Sequence, residues 1–174
     1  SKVLNKKDFI RAKETIKFIK EKKWNSALKS AQKVKDSEFR KLITWMHLKT
    51  TRNGASFNEY KKFIEQNDYY PRINRIRYLA EEKIYLRNNS PTSIINWFDK
   101  YPPLGGLGKI KLAEAYLEQG RLNEVKKLVK DGWVTAEIRK NDLGYYRAKF
   151  KKFLTSDDHI KRADHLAWER KYWD

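Results

Sequence analysis

Apolar residues in this chain recur at helical spacing and are broken by short polar turns, most plainly between Ile94 and Trp133. That stretch predicts a short helix closed by Tyr101-Pro102-Pro103, a glycine corner, and a two-helix hairpin, Ile110 to Gln119 and Leu122 to Lys130, joined across Gly120-Arg121. Each helix carries an apolar stripe too wide to bury alone, so neighbouring pairs must cover it. The same pattern predicts helices over Asp8 to Lys20 (apolar face Phe9, Ala12, Ile16, Ile19), Trp24 to Val34, and Glu38 to Leu48. Ser56 and Glu59 have capping-box spacing and start a helix over Phe57 to Gln66. Pro71 is expected to open a long helix through Arg87, and Ser90-Pro91 to start the next. Beyond Trp133, helices are expected over Ala136 to Lys140 and Leu143 to Phe153, and Thr155 with Asp158 caps a last one. Strand-like alternation of useful length is absent. Trp24, Ala27 and Ala31 are echoed in spacing by Leu122, Val125 and Val129, each set following a basic turn, in a register resembling a tetratricopeptide hairpin. The expected fold is all-α, with no sheet: a right-handed, solenoid-like superhelix of antiparallel helix hairpins forming a single domain over residues 1–174.

Charge changes the picture next. Forty basic residues against 22 acidic give a formal net charge of +18, which favours anionic partners such as nucleic acid, acidic lipid or an acidic cell-wall polymer. The basic residues are spread over many segments rather than striped along one recognition helix, so no specific nucleic-acid partner is expected. The absence of cysteine removes disulfides and thiolate chemistry. No transmembrane segment and no leader are legible in these residues.

Candidate chemistry is sparse. The glycines at 105, 106 and 108 lack the Gly-Lys-Ser/Thr ending and the preceding strand of a phosphate loop, and are read as a tight helix start. His47, His159 and His165 match no zinc spacing, so no metal or other cofactor is expected. The consecutive acids Glu81-Glu82 and Asp157-Asp158 point about 100 degrees apart on a helix, with no surrounding apolar pocket legible to raise an acid's pKa. Most of the aromatic residues are read as wedges between helices. Tyr69-Tyr70 and Tyr145-Tyr146, at helix edges beside basic residues, are the candidates for exposed stacking platforms, with Arg72 and Arg75 as accompanying cations.

The residues TRNGASFNEYKKFIEQNDYYPRINRIRYLAE, the run SPTSIINWFDKYPPLGGLGKIKLAEAYLEQGRLNEVKKLVKDGW and the run FLTSDDHIKRADHLAWERKYWD resemble the amino-terminal helical region of soluble periplasmic lytic murein transglycosylases, in the alphaproteobacterial style. The most specific stretches are Trp97-Phe98, Pro102-Pro103-Leu104 with Gly108, and Leu154-Thr155 with Asp158-His159, Arg162, Asp164, Leu166 and Trp168. The resemblance implies a helical scaffold in the periplasm, joined in a longer parent chain to a carboxy-terminal lysozyme-like domain. That domain cleaves the MurNAc-GlcNAc bond to leave 1,6-anhydromuramyl ends, using a glutamate in a Glu-Ser motif. No Glu-Ser pair occurs in these 174 residues, so no catalytic residue is carried over and the chain alone is expected to be inactive. The implied partners are peptidoglycan glycan strands and the catalytic domain of the same parent chain. Ser156 stands where the family has a proline, and Gly105-Gly106 where it often has a threonine. The alternative kept open is a basic helical-repeat module that binds protein or single-stranded nucleic acid.

Overall fold

The computed structural model describes residues 4–169, and every regular element among them is an α-helix. The chain divides into two compact units, Ser1–Asn67 and Asp68–Asp174. The first holds α1 (Lys6–Lys20), α2 (Trp24–Ala31), α3 (Ser37–Lys49) and α4 (Phe57–Gln66); the second holds α5 (Ile73–Glu81), α6 (Pro91–Lys100), α7 (Gly106–Glu118), α8 (Leu122–Trp133), α9 (Lys140–Lys149) and α10 (Ser156–Trp168).

In the first unit α1 packs on α2 along a line of small side chains, Ala12 and Thr15 against Ala27, Ser30 and Ala31. This bears out Ala12 of the expected apolar face of α1 and overturns Phe9 and Ile16. Phe9 and Ile16 are exposed, while Asp8, Ala12 and Thr15 are buried. Polar groups survive burial there because each has a partner: Asp8 is bonded by Asn5, and the Thr15 hydroxyl donates to the Arg11 carbonyl at 2.9 Å. Ile43, Leu48, Tyr60 and Ile64 complete the core of this unit.

The second unit is built around the α7–α8 pair, with Ile110, Ala113, Val125, Val129 and Trp133 meeting Tyr146 and Phe150 of α9 and its C-terminal end. The echo between α2 and α8 is geometric as well as sequential. Lys22 and Gly120 both take left-handed backbone (φ 58 and 71), and the next residues, Lys23 and Arg121, have nearly the same angles (φ −86, ψ 67 and φ −83, ψ 69) before their helices begin. Ala27 and Ala31 of α2, like Val125 and Val129 of α8, are buried.

Local capping chemistry governs several boundaries. Both reciprocal capping boxes form, Ser56 with Glu59 and Thr155 with Asp158, and Ser90 caps α6 with Pro91 in its first turn. Ser56→Ala and Thr155→Ala are each expected to lower stability by about 1 kcal/mol in urea denaturation. The helices expected from Pro71 through Arg87 and over Ala136 to Lys140 depart most from expectation. Helix α5 starts after Arg72, whose left-handed backbone (φ 55) breaks the turn following Pro71, and it stops at Glu81 rather than Arg87. Residues 136–139 are not helical: the Ile138 N–H turns back to the Ala136 carbonyl at 3.1 Å, and Ala136 and Ile138 are buried while Glu137 and Arg139 are exposed. Buried Arg162 fixes this segment by donating to the Trp133 and Ala136 carbonyls, each at 2.7 Å.

Candidate functional site

The glycine corner begins α7 with Gly105 as N-cap, a residue that has no side chain to satisfy the first helical N–H groups. Pro102 and Pro103 also have no N–H, so Leu104 supplies the first free amide after the turn. It donates to Glu81 Oε1 at 2.6 Å. The Glu81 carboxylate, at the end of α5, thus lies against the start of α7. A Cβ on Gly108 would fall 2.4 Å from Glu81 Oε2, so only glycine leaves room for the acid. Arg77 donates to the Pro102 carbonyl at 2.9 Å and holds the same corner. Burial pushes the Glu81 carboxyl up to about 7, against the N–H groups of Leu104, Gly105 and Gly108 and the Arg77 charge, which act to lower it. The corner is indeed a tight helix start, and the acceptor for its first free amide is the chain's own Glu81 carboxyl. The expectation that no enclosed site surrounds the Glu81-Glu82 pair is corrected for Glu81, which is 3 % exposed.

Farther along α7, Lys111 and Glu114 are also buried. The Lys111 ammonium sits 3.7 Å from the Tyr85 ring centre and 5.2 Å from that of Tyr146, a double cation–π contact. Burial draws this amine down to about 8, while Glu114 and Asp142 oppose the shift. The Tyr85 hydroxyl donates to Asp142 at 3.4 Å. Glu114 accepts from the hydroxyls of Tyr145 and Tyr146 and from Lys149 Nζ at 3.2 Å. Lys149 also reaches Glu118 at 2.9 Å and the Tyr145 oxygen at 2.8 Å. Burial acts to lower its pKa, but the bonds to Glu118, Tyr145 and Glu114 outweigh burial and raise it. Burial first, then the Glu114 charge, raises the Tyr146 phenol well above its ordinary value.

Of the six residues singled out from sequence, Tyr145 and Tyr146 meet at this network. Tyr146 is not a surface platform: it is 2 % exposed, stacked on Phe150 in the core, because residues four apart share the stripe that faces α7 and α8. Tyr145 is half exposed, with its hydroxyl engaged and its ring at the rim. Tyr69 is largely exposed and leans on Tyr70. Arg72 and Arg75 are both exposed, and the Arg75 guanidinium lies 5.7 Å from the Tyr78 ring centre. The sequence names Glu81 but not its burial, and Lys111 and Glu114 are not singled out by it. Only the first left a signal, since a helix opening on glycines without a capping side chain needs an acceptor from elsewhere.

The second acidic pair is also engaged. Asp157 pairs with Lys161 at 2.7 Å, and Asp158 caps α10 and faces Lys130 at 3.6 Å. His47 packs on Trp24 and His159 edge-on to Trp133. No group of three or more metal-ligating side chains stands together among the described residues, and none of the described helices is long and apolar enough to cross a membrane. This arrangement supplies cationic and aromatic contact surface; Glu114 and Asp158 are engaged by neighbouring groups, and Glu81 through Oε1 alone, its Oε2 being buried without a hydrogen-bond partner among the described residues. No protein-family model, curated protein or solved structure matches the chain.

Proposed function

We propose that this chain is the non-catalytic helical scaffold of a periplasmic lytic murein transglycosylase, holding anionic glycan strands for a catalytic domain of the same parent chain. In this reading the helix pairs continue as antiparallel hairpins of a right-handed superhelix, and the repeated turn at Lys22-Lys23 and Gly120-Arg121 supports it. The observation that carries the functional reading is the surplus of basic residues at the surface. Forty basic residues stand against 22 acidic, the buried charges include both signs (Asp8, Glu81, Glu114 and Asp158 with Lys111 and Arg162), and Arg72, Arg75, Lys126, Lys127 and Lys152 are exposed. Peptidoglycan carries lactyl and peptide carboxylates, so a positive surface concentrates it. The rings of Tyr69 and Tyr145 are the sugar-stacking contacts in this reading, with Arg72 and Arg75 as the exposed cations that follow the former in sequence.

Sedimentation with purified murein sacculi tests the proposal. The chain is expected to pellet at about 0.01 M ionic strength, where the screening length is about 30 Å, and to be released near 1 M, where it is about 3 Å. Failure to pellet at the low value would overturn it.

A further inference from the structure

In the second unit the end of α9 and the start of α10 border an open groove of about 530 Å³. Its lining is one-sided in charge: Arg147, Lys151, His159 and the hydroxyls of Thr155 and Ser156 stand over Gly144, Ala148 and Leu154, and no carboxylate lines it. The nearby acids are turned to other partners, Asp158 to Thr155 and Lys130, and Asp157 to Lys161. Among the described residues the Arg147 and Lys151 side chains make no ion pair. Two uncompensated cations around one small concavity repel each other, and an anion seated between them removes that repulsion.

Gly144 adds an independent reason. It lies inside α9, where glycine costs about 1 kcal/mol relative to alanine. Its backbone does not need glycine, because its φ is not among the positive values. Nor does packing, since a Cβ there would meet nothing within 4 Å. The space that its missing side chain leaves open is the groove itself.

We propose that this groove binds an oxyanion, carboxylate or phosphate, carried on a ligand of about monosaccharide size. Arg147 offers a planar fork for two oxygens and Lys151 a point charge. Ser156 donates a hydroxyl, and Ala148, Leu154 and the His159 ring cover the apolar face of the ligand body. A volume of this order is normal for small-ligand sites. The site requires no murein and stands whether or not the chain binds sacculi.

The test is an amide NMR titration of the whole chain with glucuronate, glucose 6-phosphate and, as the uncharged control, glucose. Saturable shifts at Gly144, Lys151, Ser156 and His159 are expected with either anion and not with glucose; the tighter of the two anions names the group. Arg147→Ala with Lys151→Ala should weaken binding about tenfold or more. Gly144→Leu should abolish it with the circular-dichroism melt unchanged or raised. The double variant, altering only exposed side chains, decides the matter should Gly144→Leu not fold. Absence of saturable shifts with both anions, equal binding of glucose, or binding undiminished in the double variant would overturn the assignment.

Discussion

Gly106→Ala is expected to destabilise the second unit by about 3 kcal/mol, the upper part of the range for overfilled interiors. A Cβ at Gly106 would fall 2.5 Å from the Ala136 nitrogen and 2.6 Å from the Gly132 carbonyl oxygen. Both are backbone atoms, so no side-chain rotation relieves the clash and α7 must move away from the C-terminal end of α8. The contact is reciprocal, since a Cβ on Gly132 would fall 2.9 Å from the Gly106 carbonyl oxygen. That movement would loosen the core of Ile110, Ala113, Val125, Val129 and Trp133. Gly144→Ala is the internal control: with open space around it, the same change is expected to be neutral or to stabilise by up to about 1 kcal/mol. Urea midpoints of the two variants check the pair, and an unchanged midpoint for Gly106→Ala would contradict the close crossing.

The second large effect is a fall in stability as pH rises through neutrality. The Glu81 carboxyl ordinarily titrates at 4.5 and is raised to about 7 in the native state. Between those values the native state keeps a proton that the unfolded chain has released, so stability decreases with rising pH across this window. The difference corresponds to about 3 kcal/mol, fully present below 4.5 and lost above 7. Lys111 acts in the opposite sense at higher pH. Its amine is lowered from 10.5 to about 8, so the native state gives up its proton first and stability rises between these values. The difference between wild type and Glu81→Gln isolates the first contribution. Chemical denaturation at pH 5 and pH 8 should show Glu81→Gln losing about 3 kcal/mol less than wild type over that interval. Equal losses would show that the acid ionises at its ordinary pKa despite its burial.

Features set by neighbouring residues were readable without coordinates. Ser56 and Glu59, Thr155 and Asp158, and Ser90 before Pro91 satisfy helix-start amides within four positions, so spacing alone places them. The α7–α8 hairpin was equally local, although α7 begins at Gly106 instead of Ile110 because the glycines belong to the helix. Long-range contacts decided what was misread. Against the small residues of α2, helix α1 turns Thr15 inward beside Ala12 and leaves Phe9 and Ile16 outside, a choice its own apolar periodicity does not contain. The non-helical segment at Ala136 depends on Arg162, 26 positions later in the chain. Glu81 depends on Leu104, 23 positions later. Tyr146 carried two signals, a place on the apolar stripe with Phe150 and a place beside Tyr145 near lysines, and burial in the core settled it for the stripe.

Buried charges of both signs, Glu81, Glu114, Lys111 and Arg162, are built into the packing, and the proposed function assigns glycan contact to the exposed cations and rings. The measurement that tests it most directly is incubation of the purified chain with murein sacculi, following both the pelleted protein and the soluble glycan released. At low salt the protein should pellet fully and release no soluble fragments over hours, because the buried acids are held by the fold and take no part in bond cleavage. Soluble anhydromuramyl products formed by the chain alone, or protein that stays in the supernatant, would contradict it.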